Sequence, residues 1–101
     1  MNRLLVPYLC EAIRMVERGV AAPADVDTAM KLGAGHPMGP IQLADYIGLD
    51  TVLSIVSGWH EAHPAEAAYA VPESLRAKVA AGKLGRKNGE GYYKWAGDKL
   101  A

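Results

Sequence analysis

Glycine and proline divide this chain into short segments, and apolar residues recur at helical spacing within them. The sequence of 101 residues holds 11 glycines and 6 prolines. No pair of strands of convincing length appears between them. The pattern therefore predicts an all-α domain of about five helices, residues 1–101, that ends in an irregular, glycine-rich arm.

The first predicted helix runs from Asn2, a good N-cap residue, to Gly19, which readily ends a helix. Pro7 predicts a bend in its first turns, unless the helix begins nearer to Pro7. The expected inner face carries Leu4, Leu5, Tyr8, Leu9, Ala12, Ile13 and Val16.

Four more helices are predicted. The second spans 23–33 and the third 40–47, each with proline at its first position, and the fourth follows a cap at Asp50. A fifth, partly exposed helix leads to Gly82. The expected inner faces are Val26, Ala29, Met30 and Gly33, then Val52, Ile55, Val56 and Trp59, then Leu75 and Val79. Tyr92, Tyr93 and Trp95 should anchor the arm that follows.

Charge is balanced in total but not along the chain. There are 11 basic and 11 acidic residues, so non-specific attraction to nucleic acid or an anionic membrane is not expected from the total. Residues 1–75 carry 4 basic and 9 acidic side chains, whereas 76–101 carry 7 and 2. The favoured interpretation is a basic tail folded over an acidic body; the alternative is a tail that binds phosphate or an acidic partner.

The single cysteine, Cys10, cannot form an internal disulfide. No apolar run approaches the roughly 20 residues of a membrane span. We therefore expect a soluble protein of a reducing compartment, the cytoplasm, with no membrane partner.

Three patterns suggest chemistry, and each has a simpler explanation. Gly33, Gly35 and Gly39 lack the preceding strand of a dinucleotide-binding turn, so they predict a structural loop. His60 and His63 lack a third ligand, so no metal site is predicted. Cys10 borders the apolar stripe and is expected to be a half-buried or buried structural thiol.

The aspartates also receive a structural interpretation. Asp25 with Asp27, and Asp45 with Asp50, lie near expected helix starts, where capping explains them. The residues alone therefore support a helical domain without a self-contained active site.

Several segments nevertheless resemble one family, the C-terminal domain of the L-3-hydroxyacyl-CoA dehydrogenases, including the 3-hydroxybutyryl-CoA dehydrogenases. The resemblance covers roughly residues 2–95. It is carried by the segments 2–9, Glu11-Ala12, Glu17-Arg18-Gly19, Asp25-Val26-Asp27, 30–40, 45–50 and 85–93. It implies a helical fold of the 6-phosphogluconate dehydrogenase C-terminal-domain-like type.

The resemblance also implies a function within a larger enzyme of fatty-acid or butanoate metabolism. The family's NAD-binding Rossmann domain, with its catalytic His and Glu, lies N-terminal to this domain and outside these residues. We expect no cofactor on this chain, NAD in the parent enzyme, and no turnover by the chain alone. Asn2 resembles the family's substrate-orienting asparagine; a helix cap is compatible with this and is the favoured interpretation for the chain by itself.

The family implies two partners for this domain: a second copy, through its helix faces, and the acyl-CoA substrate in a cleft shared with the Rossmann domain. Met38 is either a contact for a short acyl chain or a plug between helices. We expect a frayed first turn and an exposed patch where the Rossmann domain would pack.

An alternative from another class is a stand-alone interaction domain. Its basic aromatic tail would bind nucleic acid or an acidic partner by charge and stacking. The residues concerned are Lys83, Arg86, Lys87, Tyr92, Tyr93, Lys94 and Trp95.

Overall fold

The longest helix, α1 (Asn2–Glu17), contacts each of the other four α-helices. The structure is a computed structural model that describes all 101 residues. The other elements are α2 (Pro23–Gly33), α3 (Pro40–Ile47), α4 (Leu49–Ala62), α5 (Glu73–Ala80), the antiparallel strands β1 (Trp95–Ala96) and β2 (Lys99–Leu100), and 3-10 helices at Ala67–Tyr69 and Arg86–Asn88. The all-α prediction is confirmed.

The core lies between α1, α3 and α4, and α2 and α5 close its sides. Its buried members are Val6, Leu9, Cys10, Ala12, Ile13, Val26, Ile41, Ala44, Leu49, Val52, Val56 and Leu75. Cys10 is fully buried, as predicted. Burial of such side chains contributes about 1.5–3 kcal/mol for each large aliphatic residue.

Some of the predicted inner positions are wrong. Leu4 is 81% exposed, Ala29 is exposed, and a Cβ at Gly33 would contact nothing. The reason is that α2 buries a narrow edge, Val26 and Asp27, while Leu4 belongs neither to the core cluster nor to the side chains packed against it. Helical periodicity gives the centre of an apolar stripe better than its limits.

Two predicted caps are also wrong, whereas the prolines at the starts of α2 and α3 are confirmed. Asn2 is the first residue of α1, because the carbonyl of Met1 already accepts hydrogen bonds from the helix. Asp50 lies inside α4, which begins at Leu49, whose N–H donates to the carbonyl of Leu84 at 2.8 Å. Pro7 lies within α1, so the helix does not begin near it.

The C-terminal arm, residues 83–101, is fastened to the body by its aromatic residues. Asp45 is fully buried and accepts hydrogen bonds from the backbone N–H groups of Tyr92 and Tyr93 and from the indole N–H of Trp95, each at 2.9 Å. This confirms the aromatic anchors and corrects the interpretation of Asp45, which holds the arm and does not cap a helix. Strands β1 and β2 were not predicted because two residues carry no periodic signal.

Basic side chains of the arm are largely paired. Lys87 Nζ lies 2.8 Å from Asp50 Oδ1, and Lys83 pairs with Glu90 at 3.5 Å. Arg86 contacts Asp98 at 2.9 Å and lies over the Tyr46 ring at 3.8 Å. Only Lys87 pairs with an acidic residue of the body, because Glu90 and Asp98 belong to the tail itself, so the predicted pairing of tail with body is confirmed for one residue. Together these pairs leave less charge for an anionic partner.

None of the helices combines the length and apolar character that crossing a membrane requires.

Candidate functional site

An apolar cleft of about 530 Å³ opens between the first two turns of α1 and the loop that joins α2 to α3. Met1 and Leu4 at its rim are 93% and 81% exposed. The lining residues are Met1, Leu4, Leu5, Tyr8, His36, Pro37, Met38 and Leu43. Concave surfaces of this size and character are typical of ligand sites.

The loop that forms one wall of the cleft, residues 34–39, is fixed at both ends. At its start, Gly35 takes a φ of +70°, a conformation that favours glycine, and the N–H of His36 donates to the carbonyl of Met30 at 3.3 Å. At its end, Gly39 packs so closely on Asp27 that a Cβ would overlap it. This wall is thus formed before any ligand binds.

Asp27 connects the cleft wall to the C-terminal arm. Its buried carboxylate accepts hydrogen bonds from the N–H groups of Ile41 at 2.7 Å and Gln42 at 3.0 Å, at the start of α3. The hydroxyl of Tyr93 donates to the same carboxylate at 2.6 Å. Asp27 therefore caps α3, a different helix from its own, and the prediction that it caps the start of α2 is wrong.

Met38, which the sequence assigned either to the cleft or to the core, lines the cleft and is not a member of the core cluster. Pro37 beside it also lines the cleft. The two side chains form an apolar wall opposite α1, so the plug interpretation of Met38 is wrong.

Asn2 lies in the first turn of α1, between the lining residues Met1 and Leu4. Its side chain is exposed and makes no capping hydrogen bond. The cap explanation of Asn2 is therefore wrong. Its amide makes no capping bond, and Asn2 is not among the residues that line the cleft.

Tyr8 and His36 form a polar pair that the sequence did not predict. The Tyr8 hydroxyl lies 3.2 Å from Nδ1 of His36, and the rings pack edge to face with centroids 5.7 Å apart. Burial and the nearby charge of Asp27 raise the pKa of Tyr8, so the phenol keeps its proton. Twenty-eight residues separate the pair, and no local pattern could have indicated it.

The remaining candidate residues, Cys10, His60 and His63, are less suited to catalysis or metal binding. Burial raises the pKa of the Cys10 thiol to about 11, which makes it a poor nucleophile. No group of three His, Cys, Asp or Glu side chains is arranged to hold a metal ion. His60 and His63 lie at the end of α4. The His63 and Tyr69 rings pack there with their centroids 6.1 Å apart.

NAD, the cofactor that the resemblance implies, does not fit the residues present. The loop with Gly33, Gly35 and Gly39 follows a helix, and the sheet consists of two antiparallel two-residue strands. The Rossmann type of dinucleotide site requires a parallel sheet with a glycine turn between strand and helix. Gly39 is used for the close approach to Asp27 instead.

A second, smaller groove of about 150 Å³ lies between α1 and α2. Its lining residues are Tyr8, Glu11, Ala12, Met15, Val26, Met30 and Pro40. Leu32, in α2, is 83% exposed. Val20, which follows the end of α1, is 64% exposed. Apolar surface of this kind is common where proteins associate.

Comparison with known proteins gives one consistent family. Residues 1–95 match the family model described as 3-hydroxyacyl-CoA dehydrogenase, C-terminal domain. The chain is 58% identical over 95 residues to the mitochondrial hydroxyacyl-coenzyme A dehydrogenase of Homo sapiens, covering 94% of this chain and 30% of the human one. It is 52% identical over 94 residues to the probable 3-hydroxybutyryl-CoA dehydrogenase of Deinococcus radiodurans, covering 93% and 34%.

The crystal structure of (S)-3-hydroxybutyryl-CoA dehydrogenase from Ralstonia eutropha superposes with a TM-score of 0.89 at 43% identity. The match covers 95% of this chain and 34% of that one. The chain thus spans about a third of the length of the relatives that it matches.

Proposed function

Because the chain belongs to the family of 3-hydroxyacyl-CoA dehydrogenase C-terminal domains, we propose that it supplies the substrate-cleft wall and the self-association surface of such an oxidoreductase. The complete enzyme would interconvert an L-3-hydroxyacyl-CoA, of which 3-hydroxybutyryl-CoA is the favoured example, and the 3-ketoacyl-CoA, with NAD as hydride acceptor. The reaction belongs to fatty-acid or butanoate metabolism.

The apolar cleft is the observation that carries this proposal. A short acyl chain needs a concave apolar wall, and Leu5, Pro37, Met38 and Leu43 provide one. Met38 contacts the acyl chain in this proposal. The fixed backbone of the loop lowers the cost of binding, because little has to be ordered when the ligand arrives.

Asn2 is proposed to orient the substrate. Its amide can donate to one oxygen and accept from another, which suits a group that must be held during oxidation at C3. Support comes from its exposure and from the absence of a competing capping bond. The helix start on which it lies is held by the hydrogen bonds of Leu4 and Leu5 to Met1.

NAD and the proton-transfer residues are assigned to a separate N-terminal Rossmann domain, since these residues do not fit a dinucleotide. The exposed apolar rim at Met1 and Leu4 is then the surface on which that domain packs. The chain by itself is expected to consume no NADH with acetoacetyl-CoA. The reducing compartment that the single thiol predicts, the cytoplasm, stays a prediction.

Self-association is proposed through the faces of α1 and α2. The groove between these helices and the exposed Met15, Val20 and Leu32 give an apolar surface that a symmetric partner copy would cover. Tyr8 lines both the groove and the cleft, whereas Met38 and Pro37 line the cleft alone, so the two roles use adjoining faces.

The test is a titration of the methyl-labelled chain with acetoacetyl-CoA, followed by NMR. We expect shifts at the methyl groups of Leu5, Met38 and Leu43. The shifts at Leu5 and Leu43 should be lost in Met38→Arg, which places a charge in the apolar wall. Leu100→Arg, which changes an exposed leucine of β2 outside both the cleft and the proposed self-association surface, is the matched control and should bind as the wild type does. Shifts confined to another face, or none at all, would refute the proposal.

A further inference from the structure

His36 is the one lining residue of the cleft whose side chain has a free polar atom in an otherwise apolar wall. Tyr8 is the other polar group there, and its hydroxyl is occupied by Nδ1 of His36. The opposite ring nitrogen, Nε2, has no hydrogen-bond partner, and it is not sealed from solvent, since the only buried side-chain atom without a partner is Nδ1 of His60. Because His36 lines the cleft, a ligand bound there would lie beside its side chain.

The contact with Tyr8 selects the tautomer of His36. A phenol O–H is a strong donor and a weak acceptor, whereas an unprotonated imidazole nitrogen is a strong acceptor. The Tyr8 hydroxyl therefore donates to Nδ1, which leaves the ring proton on Nε2. The hydroxyl makes no other hydrogen bond in the structure, so nothing competes for its proton.

The position of the ring is also fixed. The turn at Gly35 and the backbone bond from His36 to Met30 hold the main chain, and the edge-to-face contact with Tyr8 holds the imidazole. Little side-chain entropy remains to be lost on binding, and a hydrogen bond formed among apolar neighbours is stronger than one formed in water.

We propose that His36, held by Tyr8, is a specificity residue that donates a hydrogen bond from Nε2 to a carbonyl oxygen on the acyl chain, so that the cleft prefers 3-oxoacyl thioesters to unsubstituted ones. This inference rests on the proposed function, because it requires that the cleft take an acyl thioester. It names which acyl groups the cleft selects, and the residue responsible.

The first measurement is the tautomer of His36, read from the ring nitrogen shifts of the labelled chain at a pH where the imidazole is neutral. The proton is expected on Nε2. A proton on Nδ1 would overturn the inference, whatever the cleft binds, because Nε2 could then only accept.

The second measurement compares the dissociation constants of acetoacetyl-CoA and butyryl-CoA, which differ at C3. The wild type should bind acetoacetyl-CoA about threefold to tenfold more tightly, the effect of one neutral hydrogen bond. His36→Gln places an amide nitrogen near the position of Nε2 and should keep the preference. His36→Asn reaches only as far as Nδ1, retains a partner for Tyr8, and should lose it.

His63→Gln, at the far end of α4, is the control and should behave as the wild type. If the wild type binds both thioesters in the cleft equally, or if His36→Asn keeps the preference, the inference is wrong while the proposed function stands. If neither thioester binds in the cleft, both fail.

Discussion

At the scale of single residues, the buried carboxylate of Asp45 determines where the C-terminal arm lies. Burial raises the pKa of this carboxyl, and the hydrogen bonds from Trp95, Tyr92 and Tyr93 partly oppose that rise. Each of its oxygens accepts from an N–H donor. The site therefore requires two acceptor oxygens.

Asp45→Asn tests this requirement. An amide NH₂ would replace one acceptor and face a donor, leaving a buried group without a partner. We expect a loss of about 2–4 kcal/mol in the free energy of unfolding, measured by urea denaturation. Asp25→Asn, at an exposed position in the first turn of α2, should change it by less than about 1 kcal/mol. Equal effects of the two substitutions would contradict the account.

Cys10 makes the fold sensitive to alkali. The pKa of its thiol is about 11 in the folded chain against 9.0 for an ordinary cysteine. Between these values the unfolded state has lost a proton that the folded state keeps, so stability falls as pH rises through this range. The loss reaches roughly 3 kcal/mol for two pKa units.

Cys10→Ala should flatten the dependence of the unfolding free energy on pH between 9 and 11, whatever its effect at neutral pH. Tyr92 and Tyr93 remain in both proteins, and burial raises the pKa of each above that of cysteine, so the difference between the two curves isolates the thiol. Parallel curves would show that the thiol is solvated in the folded chain.

At the scale of elements, the junction between α2 and α3 forms the cleft wall, and Gly39 is its tightest point. A methyl group at this position would overlap the backbone and side chain of Asp27, which caps α3. Gly33, only six residues earlier, has open space around it.

The two glycines give a matched pair of substitutions. Gly39→Ala should lower the free energy of unfolding by about 1–3 kcal/mol or more and weaken acyl-CoA binding, because α3 must move away from Asp27. Gly33→Ala, inside α2, should be neutral or stabilising by up to about 1 kcal/mol. Calorimetry on both variants checks this, and the reverse order would show that the junction is loose.

The elements also show how much of the fold could be predicted from the sequence. Glycines, prolines and apolar periodicity predicted all five helices, because these signals act within a few residues. The partners of Asp27 and Asp45 are 14 to 66 residues away, so local capping was the only explanation that the sequence could offer. Tyr8 with His36 was missed for the same reason, whereas the resemblance led to Met38, which lines the cleft, and to Asn2, which follows the lining residue Met1 in the chain.

At the scale of the whole molecule, one face of the chain forms the cleft and another, on α1 and α2, is proposed to bind a second copy. A dimer would have a mass of 2 × 10.8 = 21.6 kDa. Light scattering on a sizing column should give this mass and the monomer mass for Met15→Glu, because the charge would be buried at the interface. His63→Glu should remain a dimer, and a monomeric wild type would refute the self-association proposal.

The most direct measurement of the central claim, that this chain is the substrate-cleft domain of a dehydrogenase, uses a chimera. The chain replaces the 95 residues that it matches in the human hydroxyacyl-coenzyme A dehydrogenase, and NADH consumption with acetoacetyl-CoA is followed. We predict activity within about tenfold of the human enzyme, and a kcat lower by about a hundredfold in Asn2→Ala, since a group that orients the reacting centre is removed. Arg18→Ala, at the exposed end of α1, should leave the rate unchanged. A chimera that folds and binds NADH but is inactive, or one that is indifferent to Asn2→Ala, would contradict the account.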